Sequence, residues 1–114
     1  MVDDEPMLLD LAQVILGRLG YDVMTFHSAR AALEAFKSAA TKPALIITDY
    51  AMHSMNGLEF IRECKRINPG QKMVLLSGTV DESIYAQSAV KPDHFLAKPY
   101  QINKLVEVIQ SLLK

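Results

Sequence analysis

The sequence is short of everything that would tie the chain covalently or hold it in a membrane. It has one cysteine, Cys64, and no tryptophan in 114 residues. A single thiol excludes an internal disulfide and fits a reducing compartment. Apolar runs are brief, as in "ALII" and "MVLL", far below the roughly 20 residues that a spanning helix needs. No charge of one sign dominates: 12 Lys and Arg stand against 13 Asp and Glu, a net charge of −1. That balance gives no electrostatic drive toward nucleic acid or an anionic membrane. His27, His53, His94 and Cys64 form no pair at metal-ligand spacing. Repeats, low-complexity tracts and linkers are lacking too, and nothing ahead of the first charges reads as a leader. What is present is hydrophobic content, 50% of residues, enough for a core in one domain. The expectation is a small cytoplasmic domain with no nucleic-acid or membrane partner.

Two periods alternate along the chain. Leu8, Leu11, Ala12, Ile15 and Leu19 form a helical stripe over residues 6–19. Pro6 suits the first turn of that helix, and Gly20 the position just past its end. "YDVMTF", residues 21–26, reads as a strand. Ser28 can cap a helix reaching about residue 39, with Ala32, Leu33 and Phe36 inward. "ALIIT", residues 44–48, is short and continuously apolar, the pattern of a strand buried on both faces. Asn56 is placed to cap a helix over 57–67, closed by Pro69-Gly70. "KMVLLS" (72–77) and "HFLA" (94–97) read as further strands, with a short helix over 81–89 between them. Ile102, Leu105, Val106, Ile109, Leu112 and Leu113 give the last segment clean helical spacing. Strands alternating with helices imply an α/β fold, a parallel sheet with helices on both faces.

In such a sheet ligands bind beyond the carboxyl ends of the strands. Asp3 and Asp4 follow the first strand, Asp49 ends the third, Ser77 the fourth and Lys98 the fifth, with Pro99 behind it. Singly, each is ordinary: an aspartate after a strand usually starts a turn. Together they bring three carboxylates, a hydroxyl and an ammonium to one edge. Clustered carboxylates repel unless a cation sits among them. Mg²⁺, a hard cation held by one or two carboxylates plus waters and phosphate, suits such a cluster, and Mn²⁺ is a possible substitute. A carboxylate can also act as nucleophile and carry a phosphoryl group. That transfer needs positive charge around the phosphoryl oxygens more than acid–base chemistry.

Four segments, "VDDE", "TDYAMHSMNG", "LLSG" and "FLAKP", stand in the order and spacing of one family. Through them the chain resembles the receiver domain of two-component response regulators along its whole length, residues 1–114. The resemblance implies a chemotaxis-regulator-like, flavodoxin-like, doubly wound five-stranded parallel sheet in the order 2-1-3-4-5. It implies that Asp49 is the phosphoacceptor and that a histidine kinase or phosphotransfer protein donates to it. Asp4 would bind Mg²⁺ directly, Asp3 largely through water, with the Ala51 backbone carbonyl as a further ligand beside Asp49. Ser77 and Lys98 would contact the phosphoryl group, and Phe95 matches the aromatic switch residue. The Lys98–Pro99 bond is expected to be cis. Movement of Ser77 and rotation of Phe95 would change a face made by the fourth helix, fifth strand and fifth helix. By resemblance that face carries Tyr85, Lys91, His94, Tyr100 and Lys104, and it would engage an output domain or a second receiver.

Some positions depart from the family. His53 stands where a proline is usual, leaving the loop freer. "VKPDHF" replaces a smaller turn before the fifth strand and puts the short fourth helix in question. Cys64 reads as a small core residue, and by resemblance Met52 and Met55 anchor the site loop hydrophobically. Only Met1 and Val2 precede the aspartates, so the first strand is expected to be shortened, starting upstream of residue 1 or completed by a second chain. A phosphorylation-independent interaction module is the alternative function, although such a module would be expected to lose some of the acids or the lysine. A phosphotransferase or phosphatase with an aspartyl nucleophile typically carries a general acid two residues on. Ala51 occupies that position, so no enzyme with an external substrate is expected, only self-phosphorylation from a donor and slow self-dephosphorylation.

Overall fold

A computed structural model describes residues 1–52, 55–78 and 90–113. In chain order these residues form α1 (Pro6–Arg18), α2 (Ala29–Ser38), β1 (Leu45–Asp49), α3 (Gly57–Ile67), β2 (Lys72–Ser77), β3 (His94–Ala97) and α4 (Ile102–Leu112). The expected helix over 81–89, with Tyr85, and the departure at His53 lie outside the described residues.

The strands form a parallel sheet in the order β1-β2-β3. Leu45 is in register with Lys72, and Val74 with His94. Side chains alternate across this sheet. Ile46, Met73 and Leu75 face a layer made by α2 and α3, where Leu33, Phe36, Phe60, Ile61 and Cys64 are buried. Ile47, Val74 and Leu76 face the opposite layer of α1 and α4, with Ala12, Leu16, Leu105, Val108 and Ile109. Both faces are covered, which is why β1 and β2 are nearly continuously apolar.

The helix ends follow local chemistry. Ser28 accepts from the Ala31 N–H, and Asn56 and Glu59 form a reciprocal capping box. Pro6 opens α1 without a side-chain cap. Gly20 has φ +93°, a left-handed conformation that favours glycine, as the helix-end reading required. The unusual "KPD" turn has a structural use: the Asp93 carboxylate accepts from the Met73 N–H at 2.7 Å and pairs with Lys65 at 3.0 Å. It ties the approach to β3 onto β2.

The first two expected strands are reduced. Val2 makes isolated parallel bridges to Phe26 on one side and Thr48 on the other. Val2 N donates to the Ile47 carbonyl, Asp49 N to the Val2 carbonyl, Asp3 N to the Phe26 carbonyl and Phe26 N to the Met1 carbonyl. The expected strand over 21–26 is therefore a single bridge at Phe26, and residues 21–25 carry no ladder. Where the ladder stops, a cavity of about 530 Å³ opens, lined by residues that include Met1, Val23, Phe36, Leu45 and Leu113.

Candidate functional site

Four segments deliver the polar groups anticipated at the carboxyl edge. Val2 is clamped between its neighbours, so Asp3 and Asp4 emerge beside the end of β1. Asp3 is completely buried, Asp49 and Ser77 are buried, and Asp4 is exposed. Carboxylate oxygens of Asp3, Asp4 and Asp49 all lie within 4.8 Å of one another. Lys98, carried past the end of β3, reaches back between them. Its Nζ is 3.3 Å from Asp3 Oδ2 and 3.3 Å from Asp49 Oδ1. The Lys98 N–H donates to the Ser77 carbonyl at 2.8 Å, so the backbone of β2 fixes where the lysine begins. The Lys98–Pro99 bond is cis, as expected.

Backbone donors complete the carboxylates. Tyr50 N–H donates to Asp49 Oδ1 at 2.9 Å and Glu5 N–H to Asp3 Oδ1 at 3.0 Å. The loop after Asp49 returns tightly: Gly57 N–H donates to the Tyr50 carbonyl at 2.8 Å. A Cβ at Gly57 would overlap the Asp49 carbonyl oxygen and stand 2.7 Å from Leu75 Cδ1 and 2.9 Å from Tyr50 Cα. Glycine here is a packing requirement that the sequence pattern did not reveal. Met52 and Met55 pack against the α2–α3 layer, as expected for loop anchors, and so does half-buried Phe95. Ala51 sits in the bend two residues past Asp49.

The electrostatics are unbalanced. Burial raises the pKa of Asp49, and the Asp3 charge raises it further, while Lys98 and the Tyr50 hydrogen bond act against both. Burial disfavours the Lys98 charge, but Asp49 and Asp3 outweigh it and hold that pKa above its ordinary value. One ammonium thus pairs with two of three clustered carboxylates. An all-oxygen, net-negative cluster of this kind is compatible with a divalent cation.

Tyr100 was anticipated only as part of an interaction face. Its hydroxyl is buried and has no hydrogen-bond partner among the described residues. Lys91, His94 and Lys104, from the same expected face, are exposed. Cys64 is fully buried, and burial pushes its thiol up to about 12, in keeping with an inert core residue.

The comparisons with known proteins agree on one family. The sequence model of the response regulator receiver domain matches residues 1–110. The chain is 28% identical to the chemotaxis protein CheY of Thermotoga maritima over 117 residues, covering 100% of this chain and 95% of that protein. It is 31% identical to the transcriptional regulatory protein GlrR of Escherichia coli (strain K12), covering all of this chain but 26% of that protein. Its fold matches the response regulator TrrA of Thermotoga maritima, solved in complex with Mg(2+)-BeF, with a TM-score of 0.82 and 29% identity over 98% of this chain and 95% of that one. The chain belongs to the response regulator receiver domain family of two-component signalling systems. The chain therefore spans nearly the whole of one relative and about a quarter of another.

Proposed function

We propose that the domain is a phosphorylation-dependent switch with Asp49 as the phosphoacceptor. The observation that carries this is the joint placement of Asp3, Asp4, Asp49 and Lys98 around one point at the sheet edge. An Asp49 carboxylate oxygen attacks the phosphorus of a phosphohistidine on a kinase or phosphotransfer protein. The O–P bond forms, the N–P bond breaks, and the electron pair returns to the imidazole nitrogen. The Tyr50 N–H and Lys98 orient the Asp49 carboxylate, and Lys98 with the Ser77 hydroxyl meets the transferred oxygens. Asp4, Asp49 and the Ala51 carbonyl would hold Mg²⁺, or Mn²⁺, with Asp3 acting largely through water. The cation supplies charge neutralisation between carboxylate and phosphoryl group. Ala51 offers no general acid, so the domain acts on no external substrate and at most loses its own phosphoryl group slowly.

The same reading takes Phe26 and Val2 as remnants of the second and first strands in a five-stranded order 2-1-3-4-5, supported by their two parallel bridges. Movement of Ser77 and rotation of Phe95 would carry the signal to the face around Lys91, His94 and Lys104, where an output domain or second receiver binds. A cytoplasmic location goes with this reading. Among the described residues no helix is long and apolar enough to cross a membrane.

α1 supports a docking role for the donor. Its inner face buries Leu9, Ala12 and Leu16, yet Met7, Leu11 and Val14 are exposed along the opposite face. A helix apolar on both sides is ordinarily covered, and this one starts two residues after Asp4. Leu11→Asp should slow transfer from a phosphoprotein donor and leave labelling by acetyl phosphate unchanged.

The central test is mass measurement after incubation with acetyl phosphate and Mg²⁺. A gain of one phosphoryl group in the wild type and none in Asp49→Asn is expected. A gain that persists in the variant removes Asp49 from the role; no gain in the wild type favours an interaction module that works without phosphorylation.

A further inference from the structure

We propose that Thr48 is a positioning residue of this site, its hydroxyl fixing the Asp49–Tyr50 peptide and, through it, the direction of the Asp49 carboxylate. The inference rests on the phosphoacceptor reading and extends it to a residue outside the expected ligand and phosphoryl-binding set. Thr48 is completely buried in β1, on the sheet face that Ile46 presents to the α2–α3 layer. A hydroxyl in such a place is costly unless it is hydrogen-bonded, and valine would fill nearly the same space without that demand. The Thr48 hydroxyl donates to the Asp49 backbone carbonyl at 3.0 Å. Met52 Sδ, at 3.9 Å, is a second acceptor in reach. A hydroxyl has one proton and a thioether is a weak acceptor, so the nearer carbonyl takes it.

That bond matters because of what lies at the other end of the same peptide. The Tyr50 N–H is shared between the Leu76 carbonyl at 2.8 Å and Asp49 Oδ1 at 2.9 Å. One contact ties the peptide to β2, and the other turns the carboxylate. A peptide unit is planar, so a donor that fixes the direction of its carbonyl also fixes the direction of its N–H. Gly57 bears on the same atom: a Cβ there would stand 2.4 Å from the Asp49 carbonyl oxygen. The carbonyl is thus both held by a hydroxyl and given room by the absence of a side chain. Without the hydroxyl, the Tyr50 N–H can settle on Leu76 alone and leave the carboxylate less well aimed. Reaction by an oriented group is sensitive to small misplacements of this kind.

Thr48→Val and Thr48→Ala, which remove the hydroxyl, are compared with wild type and with Thr48→Ser, which keeps it. The rate of labelling by acetyl phosphate with Mg²⁺ is followed by mass, and exchange of the Tyr50 amide proton by NMR. Both hydroxyl-free variants should label roughly three- to tenfold more slowly. Their Tyr50 amide should also exchange faster relative to the amides of β2. Serine should restore both quantities. A slow rate that Thr48→Ser shares with Thr48→Ala overturns the inference, because the methyl group would then matter and not the hydroxyl. An unchanged labelling rate or unchanged Tyr50 exchange in the hydroxyl-free variants also overturns it, whatever their melting temperatures, since the hydroxyl would then serve only the fold. These outcomes leave the phosphoacceptor reading standing. If the wild type itself takes no label, that reading fails and the inference fails with it.

Discussion

At the carboxyl end of the sheet, Asp3, Asp49 and Ser77 are buried polar groups gathered around Lys98. At the amino end, Met1, Val23, Phe36 and Leu45 line an apolar cavity of about 530 Å³. Between the two ends Val2 makes one isolated parallel bridge on each side. One end concentrates unfavourable charge and leaves it partly uncompensated, an arrangement compatible with a divalent cation. The other end is lined by apolar side chains and carries no such concentration of charge. The contrast separates a cost tied to function from a cost tied to packing, and substitutions at each end should behave oppositely.

The largest effect is expected at Asp49. Asp49→Asn should abolish labelling by acetyl phosphate, read by mass, without lowering the metal-free melting temperature, because it removes a buried charge that Asp3 opposes. A large loss of metal-free stability would mean that Asp49 is structural and would dissolve the contrast. Next, Gly57→Ala should destabilise by about 3 kcal/mol in urea unfolding, since its methyl overlaps the backbone that carries Asp49. At the opposite end, Ala35→Leu, on α2 where it lines the cavity, should stabilise by about 1 kcal/mol in the same assay by burying apolar surface.

The smallest effect is a pH dependence. A carboxyl whose folded pKa lies above its unfolded value contributes stability below the unfolded value. That contribution is lost as pH rises through the folded value. The Asp49 pKa is raised from 3.8. Without metal, the melting temperature of wild type relative to Asp49→Asn should therefore fall as pH increases from about 4 toward neutrality. Adding Mg²⁺ should reverse that fall. A difference that does not vary with pH would show that burial and Asp3 do not burden this carboxylate.

Much of this was legible in the linear pattern, and the limits have physical causes. The elements at 57–67, 72–77 and 94–97 agree with their expected bounds, because caps, turns and apolar runs are local signals. The strand expected at 21–26 is one bridge at Phe26, because pairing is a property of segments distant in sequence, which local propensity does not encode. Asp93 looked like part of a turn; only its contact with Met73 and Lys65, distant in sequence, gives it a task. Gly57 read only as the first residue of a helix; the loop returning from Asp49 is what leaves no room for a side chain there. Tyr100 looked like surface, and its buried hydroxyl is a property of three-dimensional packing.

The order of apolar and polar residues by itself determined the alternation of strand and helix, and with it the edge at which Asp3, Asp4, Asp49, Ser77 and Lys98 would emerge. Tertiary structure alone decided that these side chains meet. Lys98 reaches Asp3 across a separation of 95 residues, and no local preference sets that distance. It also decided their charge balance, because a carboxylate's pKa depends on what surrounds it once water has been excluded. Residue type fixes which groups can ionise; only packing fixes how much the ionisation costs and which cation can relieve it.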